Sequence, residues 1–344
     1  MDNARFVLSK RLLLKQYQSI RDICDIVSYS SKTNYEVAKV LEKETDCQFN
    51  VHSVEGVASI KDPSRVWFFS QGWDQAEIRK LLGRGLRNFV VDNEEDLNQL
   101  LLPLKNKKIR INLLLRMRLR EHTIHTGKYF VYGMYSDSIN RLIPKLRENK
   151  NIGRLGIHFH RKTQNISEWE LEHELRSILP EATLKSIDYL DIGGGFPIKY
   201  KNFKADVLER IFSEIRGLRE WLSSYKIKII TEPGRYLAAP PIKLVTTIKM
   251  IYDNNIIINC SVYNSAMDTF VASTRLEVEG ELEEGRGKAY TIKGSTPDSM
   301  DIFRYRVYLK NPKVGDKLSF LNAGAYNFST DFCGLEKLRT EIVD

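Results

Sequence analysis

The chain has 344 residues, 42% of them hydrophobic, which is enough for two domains or one large barrel with an extension and excludes a disordered chain. No apolar run approaches the roughly 20 residues of a membrane-spanning helix, and the opening Met1-Asp2-Asn3-Ala4-Arg5 lacks the long apolar stretch of a secretory signal. The balance of 53 basic to 44 acidic residues gives +9, but the excess is spread along the chain, apart from short groups such as Lys105–Arg110 and Arg116–Arg120. This predicts a solvated basic surface or a funnel for an anionic cofactor, with no nucleic-acid partner. Cys24, Cys47, Cys260 and Cys333 are scattered with no CxxC pair, which predicts neither a disulfide framework nor a zinc site and fits a cytoplasmic location.

From about residue 25 to 232, short β-rich runs alternate with helical stretches. Strands are expected over Asp25–Ser30, Cys47–Val51, Val66–Ser70, Asn88–Asp92, Ile109–Leu114, Arg154–His160, Ile187–Ile192 and Ile227–Glu232. Most are nearly continuous apolar runs, the pattern of parallel strands buried on both faces. Helices are expected over Tyr35–Glu44, Asp74–Leu82, Glu94–Leu104, Asp137–Glu148, Ser167–Ile178 and Ala205–Leu222, with Asp92-Asn93 and Ser167 as capping signals. Eight such units predict an α/β fold of the (β/α)8 TIM-barrel kind, with a doubly wound open sheet as the alternative. After Pro240-Pro241 the helical periodicity gives way to strand-like runs: Lys243–Tyr252, Ile256–Tyr263, Lys288–Ile292, Phe303–Leu309, Lys317–Leu321 and Leu338–Val343. These predict a C-terminal antiparallel β domain. The expected division is a barrel over 25–238 and a β domain made of 1–24 plus 239–344.

Catalytic groups of such barrels project from the C-terminal ends of strands. There the sequence places Lys32, the pair His158 and His160, the run Gly193-Gly194-Gly195, and Glu232 with Arg235. Successive glycine N–H groups can form an anion nest, to which Arg235 could add a charge-assisted bond. A partly desolvated lysine suits bond formation with a carbonyl carbon. Each feature also has a bland reading: a solvated lysine, a tight strand-to-helix turn, a surface salt bridge. His158 and His160 face one side of an extended strand and could be a metal pair, but His52, His122, His125 and His173 add no ligand spacing, so no metal is expected.

Together these segments resemble the fold type III pyridoxal-phosphate-dependent decarboxylases, the ornithine/diaminopimelate/arginine decarboxylase superfamily, over nearly the whole chain. Tyr29-Ser30-Ser31-Lys32-Thr33-Asn34 resembles the family's cofactor-lysine segment. Gly156-Ile157-His158-Phe159-His160 resembles the segment ending in the ring-stacking histidine, and Asp191-Ile192-Gly193-Gly194-Gly195-Phe196-Pro197 the phosphate loop. Glu232-Pro233-Gly234-Arg235-Tyr236 and Gly324-Ala325-Tyr326 complete the set in the family's order. The resemblance implies an alanine-racemase-like barrel, bound pyridoxal 5'-phosphate and a head-to-tail homodimer with shared active sites. It also implies residue roles. Lys32 bonds the cofactor, His160 stacks on its ring and Glu232 keeps the ring nitrogen protonated. Thr163, Gly193, Gly194, Gly195, Gly234, Arg235 and Tyr326 bind the phosphate side.

Departures bear on the substrate. The family's G-x-x-C-[DE]-x-x-D segment reads Gly294-Ser295-Thr296-Pro297-Asp298-Ser299-Met300-Asp301, so Pro297 replaces the cysteine that helps protonate the substrate carbon. Arg161-Lys162 replaces a small residue and glycine after the stacking histidine. Cys333 is the candidate substitute proton donor; the bland reading is a small buried hydrophobe, with water, Lys32 or Tyr326 then delivering the proton. Asp298 aligns with the acidic residue that recognises a distal amine, with a turn aspartate as the bland reading. Val262–Met267 lacks the arginine expected for diaminopimelate, and Ala272 falls near a second aspartate of ornithine decarboxylases. The expected activity is decarboxylation of a basic L-amino acid (ornithine, lysine or arginine) to carbon dioxide and a di- or polyamine. The alternatives are a carboxylated polyamine as substrate, or an altered homologue that regulates a partner. No membrane association is expected.

Overall fold

In the computed structural model, residues 3–119 and 131–344 are described; Arg120, His122 and His125 lie outside them. The chain divides into two units: Gln18–Pro197 with Asp206–Gly234, and Met1–Tyr17 with Ile198–Ala205 and Arg235–Asp344.

The first strand, β1 (Arg5–Ser9), belongs to the second unit. The first unit is a closed parallel barrel. Its strands are β2 (Ile26–Ser30), β3 (Gln48–Val51), β4 (Val66–Phe69), β5 (Asn88–Val91), β6 (Ile111–Arg116), β7 (Ile152–His158), β8 (Tyr189–Asp191) and β9 (Lys228–Thr231), in that order. All eight expected strands form. Closure comes from β2 pairing with β9, Ile26 opposite Ile230, so the open-sheet alternative does not apply. The continuous apolar runs follow from double burial: one side of each strand meets the helices and the other fills the barrel. Trp67, Val90, Leu114 and Ile230 form an interior cluster, with Ile26, Phe69 and Tyr189 packed against it.

Helices follow where a short polar side chain satisfies the first free N–H groups. Asn34 accepts from Glu36 N at 3.0 Å to start Tyr35–Glu44, Asp74 from Glu77 N at 2.7 Å to start Gln75–Gly83, and Asn93 from Asp96 N at 2.8 Å to start Glu94–Leu101. Ser167 does not cap. The helix begins four residues later, as Leu171–Ile178, because Asn165 Oδ1 accepts from Ser167 N (3.3 Å) and Glu168 N (3.2 Å) and holds that stretch as a turn.

Gly156 of β7 has a steric role. A Cβ there would collide with the Tyr189 carbonyl oxygen and lie 2.7 Å from Leu114 Cδ2. Gly156→Ala is expected to cost about 1–3 kcal/mol by overpacking the barrel wall. The urea midpoint of the purified variant checks this; an unchanged midpoint would mean the wall yields.

The second unit holds a seven-stranded sheet. Its other strands are β10 (Ile242–Tyr252), β11 (Asn255–Ile258), β12 (Lys288–Lys293), β13 (Ile302–Leu309), β14 (Lys317–Phe320) and β15 (Thr340–Val343). The order is β13-β12-β11-β10-β1-β15, with β14 also on β10. The sheet is mixed, not antiparallel as expected: β1 runs parallel to β15 and β11 parallel to β12. The long excursion between β11 and β12 returns the chain in the same direction, which a hairpin cannot do. β11 ends at Ile258 rather than Tyr263, because Ser261 and Asn264 form a capping box that starts a helical turn over Val262–Ser265. The expected bounds also shift. Residues 18–24 group with the barrel, while 198–205 and 235–238 group with the sheet. A helix over Lys10–Arg21, which the sequence reading did not anticipate, follows β1.

Candidate active site

Glu232 follows β9 and is the centre of the barrel's polar cluster. Asn50, in β3, donates through Nδ2 to Glu232 Oε1. His158, the last residue of β7, places Nε2 3.3 Å from Glu232 Oε2. Asp191 ends β8, and one ligating atom each from His158, Asp191 and Glu232 lies within 4.8 Å of the others. Two buried carboxyls this close cannot both ionise readily. Burial and the charge of Glu232 raise Asp191 well above the carboxylate range, against a hydrogen bond from Gly193 N. Burial would also raise Glu232. The imidazoles of His158, His160 and His52, with the His158 hydrogen bond, outweigh it and hold Glu232 down at about 2. The pair therefore carries its negative charge on Glu232 and its proton on Asp191.

Lys32 lies in the short helical turn Ser31–Thr33 after β2. The residue is exposed. Desolvation lowers its amine's pKa, Glu232 opposes the shift, and Arg116 adds to it. Arg116 ends β6 and pairs with Asp92 at 2.9 Å, its guanidinium 5.2 Å from the Phe69 ring centre. His52 has Nδ1 2.9 Å from the Phe69 carbonyl oxygen, and desolvation lowers it to about 4.

His160 lies just past β7. Its Nδ1 accepts from Gly194 N at 3.3 Å, and desolvation holds it down at about 3, so the neutral ring carries its proton on Nε2. His158 and His160 thus have separate partners rather than forming the metal pair considered above. Two N–H groups of the glycine run have partners within the chain: Gly193 N donates to Asp191 Oδ1 at 2.8 Å and Gly194 N to His160. Close approach is what requires glycine here. A Cβ at Gly194 would strike the Glu232 carbonyl oxygen; at Gly193 it would lie 2.6 Å from the Phe159 oxygen, and at Gly195 2.5 Å from the Lys162 oxygen. Gly193 and Gly195 also have φ of +66° and +99°. Gly234 ends the barrel unit, and Thr163 is exposed in the turn after β7. Arg161 and Lys162, the departing pair, are held by Glu174 and Glu168.

In the second unit, buried Arg235 donates to Tyr200 and Asp268, and its guanidinium lies 5.0 Å from the Tyr326 ring centre. Asp298 Oδ1 accepts from Tyr263 Oη and Met300 N, each at 2.8 Å. Tyr263 stacks on Phe332 with ring centres 4.1 Å apart. Cys333 is an exposed free thiol with φ +58°, so the reading of it as a small buried hydrophobe does not hold.

Residues 14–239 match the family described as pyridoxal-dependent decarboxylase, pyridoxal binding domain. The chain belongs to this family. A diaminopimelate decarboxylase of Methanothermobacter thermautotrophicus is 25% identical, over 88% of this chain and 76% of its own length. Antizyme inhibitor 2 of Xenopus laevis is 24% identical, over 96% and 77%. The structure of lysine/ornithine decarboxylase from Vibrio vulnificus complexed with putrescine has a TM-score of 0.80 at 22% identity, covering 99% of this chain and 94% of that one. That likeness shows the shared fold.

The family's cofactor is pyridoxal phosphate, and the decarboxylase barrel suits it. An amine of lowered basicity, an ionised carboxylate and a neutral imidazole share its C-terminal rim, and buried His158 Nδ1 has no partner among the described residues. Asn50, His52, Asp191 and Arg116 were not among the expected site residues. All four lie at or just past the C-terminal ends of barrel strands, and that position was the available signal.

Proposed function

We propose that the chain decarboxylates a basic L-amino acid with pyridoxal phosphate, releasing carbon dioxide and a di- or polyamine. The observation that carries this is the Glu232 carboxylate, bonded by Asn50 Nδ2 and His158 Nε2 just past β9, at the same barrel end as Lys32, which follows the neighbouring strand β2. Lys32 holds the cofactor covalently and His160 covers its ring. Glu232 keeps the proton on its ring nitrogen, with Asn50 and His158 fixing the carboxylate. Thr163, the glycine run, Gly234, Arg235 and Tyr326 serve its phosphate side. When bound, the cofactor supplies an electron-accepting ring for the pair left as carbon dioxide departs. Asp298, already oriented by Tyr263 and Met300 N, receives the distal ammonium of the substrate.

The same reading includes the head-to-tail homodimer with shared sites, a cytoplasmic location, and neither nucleic-acid nor membrane partners. Among the described residues no helix is long and apolar enough to cross a membrane. Carbon dioxide release from ornithine, lysine, arginine, diaminopimelate and a carboxylated polyamine is the test. Turnover of one of the first three supports the reading. Bound cofactor with no release from any would favour the regulatory homologue, which Pro297 and the likeness to antizyme inhibitor 2 keep in view.

Cys333 is proposed as the donor of the proton that the substrate's α-carbon takes up. The competing reading is a thiol without a part in the reaction. Cys333→Ser is expected to retain cofactor while aldehyde by-product rises relative to amine. Amine output without aldehyde would exclude the thiol as donor.

A further inference from the structure

The Arg235 guanidinium is bound along one edge only. Nη1 donates to Asp268 Oδ2 and to Tyr200 Oη (2.9 Å), and Nη2 donates to Asp268 Oδ1 at 3.0 Å. Asp268 is itself held: Thr274 Oγ1 donates to Oδ2 at 2.9 Å, and the Asp268 backbone N donates to Asn327 Oδ1 at 3.2 Å. Arg235 and Asp268 are 5% and 1% exposed. Burial would weaken the guanidinium's hold on its proton, but the Asp268 and Tyr200 bonds raise its pKa instead. The remaining donor, Nε, is buried with no hydrogen-bond partner among the described residues. Buried N–H groups are rarely left unpaired, and a charged one costs most. A planar guanidinium gripped end-on through both Nη atoms cannot swing, so its Nε–H has one direction.

We propose that Asp268 is a positioning residue for the cofactor: it grips Arg235 end-on so that Nε–H is left for a phosphate oxygen. This rests on the reading of Arg235 as a phosphate-side residue. It goes further in assigning the orientation to a residue outside every recognised motif, and the bond to one atom.

The test measures dissociation constants of the apoprotein for pyridoxal phosphate and for pyridoxal, which lacks the phosphate. Asp268→Asn is expected to weaken pyridoxal phosphate about tenfold, the size of one lost charge-assisted bond, and to leave pyridoxal unchanged. Tyr200→Phe, which removes one of the three bonds to Nη1 and Nη2, is expected to act in the same direction and less. Unchanged phosphate affinity in Asp268→Asn, or an equal loss for both ligands, overturns the proposal. If Asp268→Asn does not fold by circular dichroism, Tyr200→Phe and Thr274→Val decide, and wild-type selectivity for the phosphate in both overturns it. Arg235→Lys separates the two levels. If it binds both ligands as wild type does, Arg235 is not a phosphate ligand and both readings fall. If it loses phosphate affinity while Asp268→Asn does not, only the positioning role falls.

Discussion

Replacing Lys32 by alanine is expected to reduce decarboxylation by at least about 1,000-fold, a barrier increase of roughly 4 kcal/mol. The same change should abolish irreversible attachment of cofactor on borohydride treatment. The expectation follows from where the amine sits. An ordinary lysine is protonated near neutrality and cannot attack a carbonyl carbon. Desolvation shifts Lys32 towards the neutral form, although the Glu232 charge restrains the shift. Peptide mapping of the reduced wild-type protein should find the cofactor on the peptide containing Lys32. Attachment to another lysine would remove Lys32 from its assigned role, whatever the activity of the variant.

Glu232→Gln is expected to keep cofactor bound and to lower turnover at least about tenfold, roughly 1.4 kcal/mol or more in the barrier. The amide introduced by this change is long enough to reach Asn50 and His158, so the cluster keeps its shape, but a neutral amide does not hold a proton on the ring nitrogen. The pH dependence gives a second readout. The Glu232 carboxyl is held at about 2 against an ordinary 4.5. Below 4.5 the unfolded chain takes a proton that the folded chain refuses, so this stabilisation is fully present above that pH and lost as pH falls towards 2. Asp191 has the opposite sign, since its pKa is raised in the folded chain. In Glu232→Gln, Asp191 no longer faces a neighbouring charge and should ionise at lower pH. That shift removes part of a gain with acid and so opposes the loss of the Glu232 contribution, but below the ordinary Asp value of 3.8 Asp191 is protonated in folded and unfolded chains alike. Urea midpoints compared at about pH 3.5 and about pH 2.5 should therefore fall less with acid in the variant than in wild type. Equal acid sensitivity, together with undiminished turnover, would count against the ionised Glu232.

The barrel was legible in the sequence because parallel strands buried on both faces leave unbroken apolar runs, and because Asn34, Asp74 and Asn93 mark helix starts locally. The segments around Lys32, His160, the glycine run and Glu232 were legible for a related reason: each is contiguous, and its chemistry is carried by residue types read in a row. Other features depended on which strand ends become neighbours. Asn50 and Glu232 are 182 positions apart and meet only because β9 closes on β2, beside β3. The proton of Asp191 is set by Glu232, a neighbour that no local pattern announces. The parallel pairing of β1 with β15 joins opposite ends of the chain, and the grip of Asp268 on Arg235 crosses 33 positions outside any motif. Tertiary structure decided these because charge state and hydrogen-bond partner depend on distance through space, which barrel closure and sheet order set and spacing along the chain does not.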